Sequence, residues 1–307
     1  MARAPRDQTF TASDRIIDLL AAGAMGLGQA LPATGQRVLA RSLATAALGQ
    51  AKARAQDNLG YVWPQMDTAA RRQIARASVE AMLRGVMEIA SAKGLMARAR
   101  DWTPDGPGLS AFEAAQSAGQ PVILATGHFG NWEAARAALT HRGHQIGGLY
   151  RPLNNGYLDR RWAAILSGLS GPVFPRGREG LRGFVKLLKS GGAGVILHDQ
   201  FVADGDLLDF LGKPAATSLS AAELALRYNA ELIPFYGIRR GVTAEFDVVL
   251  EAPVSAQTPA SMMQALNDSL AARVTASPEQ WLWPHRRWKP DRLARMGRDV
   301  NPAGPPP

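Results

Sequence analysis

The stretch Pro121-Val-Ile-Leu-Ala-Thr-Gly127 constrains this chain more than any other. It is short, apolar and closed by glycine, as a buried strand is. Beyond Gly127 the chain alternates in character. Asn131 to Arg142 reads as a helix with Gly143 past its end, and Gln145 to Tyr150 as a strand. Gly156 to Leu166 and Gly180 to Lys189 read as helices, the second closed by Gly191-Gly192, and Gly194 to His198 as a third strand. Ser220 and Glu223 have the spacing of a capping box for a helix running to Asn229. Leu232 to Ile238 and Phe246 to Leu250 read as further strands, and Pro259 to Thr275 as a helix. Strands that alternate with helices predict an α/β fold, with a mostly parallel central sheet flanked by helices.

The first part of the chain has a different texture. Residues 1–100 read as helical, with no strand signal. Asp67 sits where an N-cap belongs, and Ala75, Val79, Met82, Leu83, Val86, Ile89 and Ala90 recur at helical spacing. The expected organisation is a membrane-associating helical region over 1–100, an α/β core over 101–295 and a flexible, proline-rich tail over 296–307. Ile16 to Leu31 is the most apolar stretch near the start, interrupted by Asp18. It makes a helix of only ~24 Å, whereas a span needs ~20 residues and ~30 Å. Arg3, Arg6, Asp7, Asp14 and Arg15 precede it, a poor leader for a signal peptide. It therefore reads either as a helix lying on a membrane surface or as a core helix. Val38 to Leu48, with Arg37 and Arg41, extends the same surface.

Charge narrows the partners. Lys and Arg total 35 against 26 Asp and Glu, a net charge of +9. That balance points to an anionic partner: nucleic acid, anionic lipid or an acidic protein. No run of five Lys or Arg and no nucleic-acid-binding signature is present, so a nucleic-acid partner is not expected. The chain has no cysteine, which excludes disulfide scaffolds, thiolate metal sites and a cysteine nucleophile. His141 and His144 have no carboxylate at ligand spacing, so no metal is expected. No nucleophile-elbow, phosphate-loop or dinucleotide glycine pattern occurs.

Gly127-His128-Phe-Gly-Asn131-Trp132-Glu133 places a histidine at the end of a buried strand, before a glycine turn and a helix start. Such strand ends are where α/β sheets place their sites. A carboxylate brought to one imidazole nitrogen fixes the tautomer and makes the other nitrogen more basic. His128 is thus a candidate general base and Glu133 its orienting partner. The alternative is a structural histidine, with Glu133 serving the helix N-terminus.

This block, GHFGNWE, resembles the H-x4-D/E block of glycerolipid-type acyltransferases, and its Asn-Trp-Glu form resembles the lipid A late (lauroyl/myristoyl) acyltransferases. Further blocks agree in order: Leu149-Tyr-Arg-Pro152, Phe174-Pro-Arg-Gly177, His198-Asp199-Gln200, and Pro278-Glu-Gln-Trp-Leu-Trp283 running through His285-Arg286-Arg287-Trp288-Lys289. The resemblance implies transfer of a fatty acyl chain from an acyl-carrier-protein thioester to a hydroxyl of a lipid A precursor. It implies no cofactor, and a place on the cytoplasmic face of the inner membrane, peripheral or monotopic. An acidic carrier protein, an anionic lipid acceptor and the membrane surface are the implied partners, and +9 suits them. A lyso-aminolipid acceptor, or a non-catalytic lipid-binding or carrier-binding module, is the alternative.

Without a cysteine to carry the acyl group, direct attack by the acceptor hydroxyl is the simpler route, with His128 taking its proton. A cation or backbone N–H must then hold the oxyanion. Arg151 is the first candidate and Arg176 the second, each alternatively an acceptor-phosphate ligand or a structural ion pair. Asp199 is placed to pair with one of them. Asn131 and Trp132 flank the dyad and are assigned to substrate binding. Trp281, Trp283 and Trp288 with Arg286, Arg287 and Lys289 form an aromatic–basic cluster, read either as a membrane-interface site in which Arg286 and Arg287 hold lipid head groups or as a packed core segment.

Overall fold

A computed structural model describes residues 8–46 and 48–298. Residues 299–307 of the expected tail, and Arg3, Arg6 and Asp7, lie outside the described residues. The helices are α1 (Ala12–Ala30), α2 (Ala33–Ala46), α3 (Gly49–Val62), α4 (Thr68–Ala90), α5 (Ala92–Arg98), α6 (Gly108–Ser117), α7 (Trp132–His141), α8 (Gly156–Leu169), α9 (Arg178–Lys189), α10 (Ser220–Tyr228), α11 (Pro259–Ala276) and α12 (Pro290–Arg295). The strands are β1 (Pro104–Asp105), β2 (Val122–Thr126), β3 (Ile146–Tyr150), β4 (Val173–Pro175), β5 (Ala193–Leu197), β6 (Asp206–Phe210), β7 (Lys213–Thr217), β8 (Glu231–Arg239) and β9 (Phe246–Leu250).

The main sheet runs in the order β1-β9-β8-β2-β5-β3-β4. Only β8 and β9 pair antiparallel within it. Central strand β2 is buried along its whole length, with Leu124 paired to Val195 on one side and Ile233 on the other. A strand covered on both faces has no polar face to alternate, which is why its sequence is continuously apolar. Helices cover both faces. One core joins Leu124 and Val195 to Ala135, Ala138 and Leu139 of α7. The other joins Ile123 and Ala125 to Phe184 and Leu188 of α9, Ala222 of α10 and Met263 of α11.

The N-terminal helices are not a separate lobe. Ala55, Leu59 and Ala75 share a core with Phe129, Phe210, Trp281, Trp283 and Trp288. Asn58 donates to the carbonyls of Trp283 and His285, and Ser78 to that of Trp281. The buried Glu88 carboxylate receives the guanidinium of Arg239 on β8. Asp67 caps α4 as its position predicts, accepting from the Ala69 and Ala70 amides.

One local reading needs correction, and one hairpin has no counterpart in the sequence analysis. Ser220 and Glu223 do not form a capping box: Ser220 is already the first helical residue of α10, and its hydroxyl bonds Ser218 instead. The hairpin β6–β7 carries no recognisable turn signature. Its two-residue turn is Leu211-Gly212, both at positive φ, as a type I′ turn requires; leucine stands where asparagine or aspartate normally advertises that turn.

Helix α1 is capped by a Thr11–Asp14 box. Its polarity is inverted. Asp18 is buried against Arg161 of α8, while Ile16, Ile17, Leu19 and Leu20 are exposed. Val38 and Leu43 of α2 are also exposed. Among the described residues no helix is long and apolar enough to cross a membrane.

Candidate active site

Four parallel strands end on one edge of the sheet, and each delivers a residue that the sequence marks as a candidate. In spatial order, His128 follows β2, Asp199 follows β5, Arg151 follows β3 and Arg176 follows β4. The loop after β2 is shaped by Gly130, whose φ is +58. A Cβ there would collide with the carbonyl of Gly237, so no other residue fits without moving β8. The C-terminal tryptophan block clamps the same loop: Leu282 N donates to the His128 carbonyl, Gly130 N donates to that of Gln280, and Phe129 bridges Trp281.

The carboxylate that meets His128 is Asp199. Its Oδ1 lies 2.7 Å from His128 Nδ1. Its Oδ2 accepts from the His128 backbone N–H at 2.8 Å and from Trp281 Nε1 at 2.8 Å. Burial works to raise the Asp199 pKa, but the facing His128 and its hydrogen bonds outweigh that and hold the carboxyl well below the usual carboxylate range. An ionised acceptor at Nδ1 keeps the proton on that nitrogen and leaves the Nε2 lone pair free. Nε2 faces the Gln200 side-chain nitrogen at 3.4 Å. The His128 side chain is 21% exposed and that of Asp199 3%, so the base opens to substrate while its partner does not.

Glu133 is not the partner of His128. It sits in the first turn of α7, and its Oε1 takes hydrogen bonds from Arg136 at 3.1 Å and Trp132 Nε1 at 3.2 Å. Oε2 is buried without a hydrogen-bond partner among the described residues, and burial pushes the carboxyl up from its ordinary value. Its link to His128 runs through Trp132, whose ring meets the imidazole edge-on at 5.2 Å. Arg136 also donates to the Ser170 carbonyl at 2.5 Å and is itself buried. Glu133→Ala leaves that guanidinium uncompensated. It is expected to cost about 3–5 kcal/mol of stability, read from denaturant unfolding; unchanged stability would rule out a structural ion pair.

Asn131 is likewise structural. It is buried, caps α7 by accepting from the Glu133 and Ala134 amides, and donates to Glu88 at 2.9 Å. Arg287 is fully buried: it donates to the Ala216 carbonyl at 2.6 Å and to Thr217 Oγ1 at 2.5 Å, tying β7 to the C-terminal block. Burial lowers its pKa to about 10. It cannot hold a head group without unfolding that contact. Trp281, Trp283 and Trp288 pack on one another and on Phe210 in the core, not at a membrane interface. Arg286 is exposed.

Arg151 and Arg176 are exposed, and neither side chain has a hydrogen-bond or ion-pair partner among the described residues. Asp199 therefore pairs with neither. Arg151 emerges two strands from His128, roughly 10 Å away at ordinary strand spacing, and Arg176 one strand further. The site thus combines a buried carboxylate, a partly exposed imidazole and an exposed guanidinium on one edge. That arrangement can take a proton from a hydroxyl and hold an oxyanion.

Sequence spacing does not show the His128–Asp199 pair, because 71 positions separate the two residues. Only the pairing of β2 with β5, five residues in register, places them side by side.

Comparison with known proteins places the chain. The family model described as bacterial lipid A biosynthesis acyltransferase matches residues 3–290. A lipid A biosynthesis acyltransferase of Haemophilus influenzae is 27% identical over 240 residues, covering 76% of this chain and 74% of its own. The lipid A biosynthesis lauroyltransferase of Escherichia coli is 27% identical over 244 residues, covering 76% and 77%. A phosphatidylinositol mannoside acyltransferase of Mycobacterium tuberculosis is 26% identical over 188 residues, covering 60% of each chain.

Proposed function

From the premise that this chain belongs to the bacterial lipid A biosynthesis acyltransferase family, we propose that it transfers a fatty acyl group from an acyl-carrier-protein thioester to a hydroxyl of a lipid A precursor. The observation that carries this reading is the 2.7 Å contact of His128 Nδ1 with buried Asp199. His128 Nε2 takes the hydroxyl proton as the oxygen attacks the thioester carbonyl. Arg151 steadies the oxyanion through its fixed charge. The intermediate then expels the carrier's thiolate, which takes the proton back from Nε2, and the ester is left on the acceptor.

The acceptor class rests on the named relatives. One of them acts on a phosphatidylinositol mannoside, so the shared blocks alone do not fix the acceptor. Mass spectrometry of total lipids from cells with and without the gene tests it. Loss of one acyl chain from lipid A supports the reading, and loss from another lipid class overturns it. Parallel assays of the purified protein with acyl-carrier-protein and acyl-CoA donors test the donor.

The proposed route asks for no cofactor, because its base and its cation are both side chains of this chain, His128 and Arg151. Activity is expected to persist in EDTA. Loss on chelation with recovery on adding Zn²⁺ or Mg²⁺ would sink that assignment. The exposed apolar side chains of α1 and α2 support peripheral attachment to a membrane surface, which this reading takes to be the cytoplasmic face of the inner membrane.

A further inference from the structure

An open cavity of about 850 Å³ lies between α1 and α8, lined by Arg15, Asp18, Tyr157, Arg160 and Arg161 among others. Helix α8 starts just after β3, so its first turns stand on the same sheet edge as His128. Three guanidinium groups face one carboxylate there, a surplus of two positive charges.

The cavity is built rather than incidental. Asp18 is almost completely buried although Ile16, Ile17, Leu19 and Leu20 around it are exposed, and both its oxygens are committed. Arg161 donates Nε to Oδ1 at 2.8 Å and Nη2 to Oδ2 at 3.0 Å. Arg15 donates Nη1 to Oδ2 at 3.3 Å. This bidentate grip fixes the plane of the Arg161 guanidinium and leaves its Nη1 without a partner among the described residues. Arg15 also lies over the Tyr157 ring at 5.1 Å, and Arg160 over Phe10 at 4.7 Å. Arg160 has no anionic partner among the described residues. The three groups are therefore held in place by stacking and by Asp18, with donors to spare.

The surroundings of the cavity say what it receives. On α1, Leu19, Ile16 and Leu20 continue round the helix from Arg15, and all three are exposed. A cationic cavity next to an apolar arc matches a ligand with an anionic head and a hydrocarbon body. Two surplus positive charges match a phosphate monoester, which carries close to two negative charges near neutral pH.

We propose that the α1–α8 cavity binds the phosphate-monoester headgroup of a membrane lipid, with Arg15, Arg160 and Arg161 as its ligands and the α1 arc inserted beside it. This rests on the reading that the protein works at a lipid surface. Another exposed cationic surface, Arg178, Arg182, Lys186 and Lys189 on α9, lies on the opposite face of the sheet from α7. It supplies a matched control.

The test is flotation of the full-length protein with three kinds of vesicle: phosphatidylcholine alone, phosphatidylcholine with phosphatidic acid, and phosphatidylcholine with phosphatidylglycerol at equal surface charge. The wild-type protein is expected to favour phosphatidic acid. Arg15→Gln/Arg160→Gln should weaken that binding by about fivefold per arginine and abolish the preference over phosphatidylglycerol. Lys186→Gln/Lys189→Gln removes the same charge elsewhere and should leave the preference intact. Ile16→Ser/Leu20→Ser should lower binding to all three alike. All the altered positions are exposed and lie outside the cores; Arg15 and Arg160 also stack on Tyr157 and Phe10, so melting curves check the fold. A phosphatidic acid preference that survives Arg15→Gln/Arg160→Gln, or is lost equally in Lys186→Gln/Lys189→Gln, overturns the headgroup site alone. A wild-type protein that floats with none of the vesicles overturns both the site and the lipid-surface reading.

Discussion

His128→Gln is expected to lower turnover by about 10²- to 10⁴-fold, the usual scale for losing a general base. Glutamine keeps a polar group of similar size but has no basic nitrogen to accept the acceptor's proton. Asp199→Asn is expected to fall in the same range for a different reason. The carboxylate accepts three hydrogen bonds, from His128 Nδ1, the His128 amide and Trp281 Nε1. An amide offers one acceptor atom and two N–H donors, so at least one of those donors then faces another donor. The imidazole loses the partner that keeps its proton on Nδ1, and the basic lone pair leaves Nε2. The measurement is steady-state kinetics beside melting curves of the same preparations. The loss should appear in kcat, with the fold retained. An Asp199→Asn enzyme with near-native turnover would show that Asp199 is not the orienting group.

Acid should destabilise the native state steeply below neutrality, largely through two imidazoles. Burial lowers the pKa of His198 from 6.5 to about 4, and its contacts with Asp199 and with the Thr126 and Leu266 backbone, which favour the charged form, do not offset that. Burial lowers His285 to about 4 as well; its Nε2 accepts from the Phe201 amide. Above pH 6.5 both states hold these groups neutral, and nothing is lost. Between 6.5 and about 4 the unfolded chain binds a proton that the native protein refuses, so stability falls as pH falls. The slope is about 1.4 kcal/mol per pH unit for His198, or roughly 3 kcal/mol across the window, and His285 adds in the same direction. Asp199 enters lower down. Its depressed pKa gives stability that is complete above the unfolded value of 3.8 and drains only below it. His198→Leu fills the same apolar site without a titrating group and should flatten the fall between pH 6.5 and 4. Denaturant unfolding across that range reads the slope directly. An unchanged slope in His198→Leu would mean that other groups carry it.

How much was legible without coordinates differs between the fold and the site. The alternation of apolar runs with helical stretches from residue 121 onward places β2, α7, β3, α8, β5, β8, β9 and α11 close to where they stand. Those runs are legible because the central strands β2 and β8 are buried along nearly their whole length, β9 alternates and each helix is covered on one side, and burial writes its period into the residues. The short edge strands β1 and β4 leave no such trace. Nor does the β6–β7 hairpin, whose leucine-led turn hides its type.

The sequence by itself determined that His128 ends a buried strand ahead of a glycine turn and a helix start, since an apolar run closed by Gly127 leads into Gly130 and Asn131, a natural cap. It also determined the order of blocks that marks the family. Only the tertiary structure decided which carboxylate serves His128. Glu133 is near in sequence but lies along α7, where Arg136 one turn on claims it. Asp199 is remote in sequence but one strand spacing away, because β5 pairs with β2. Tertiary packing likewise decided that Arg287 and Trp281, Trp283 and Trp288 are buried while Arg151 is exposed. A charged or aromatic residue has the same one-letter identity in a core as on a surface. The difference between an internal strut and a ligand contact is set by neighbours that only folding brings together.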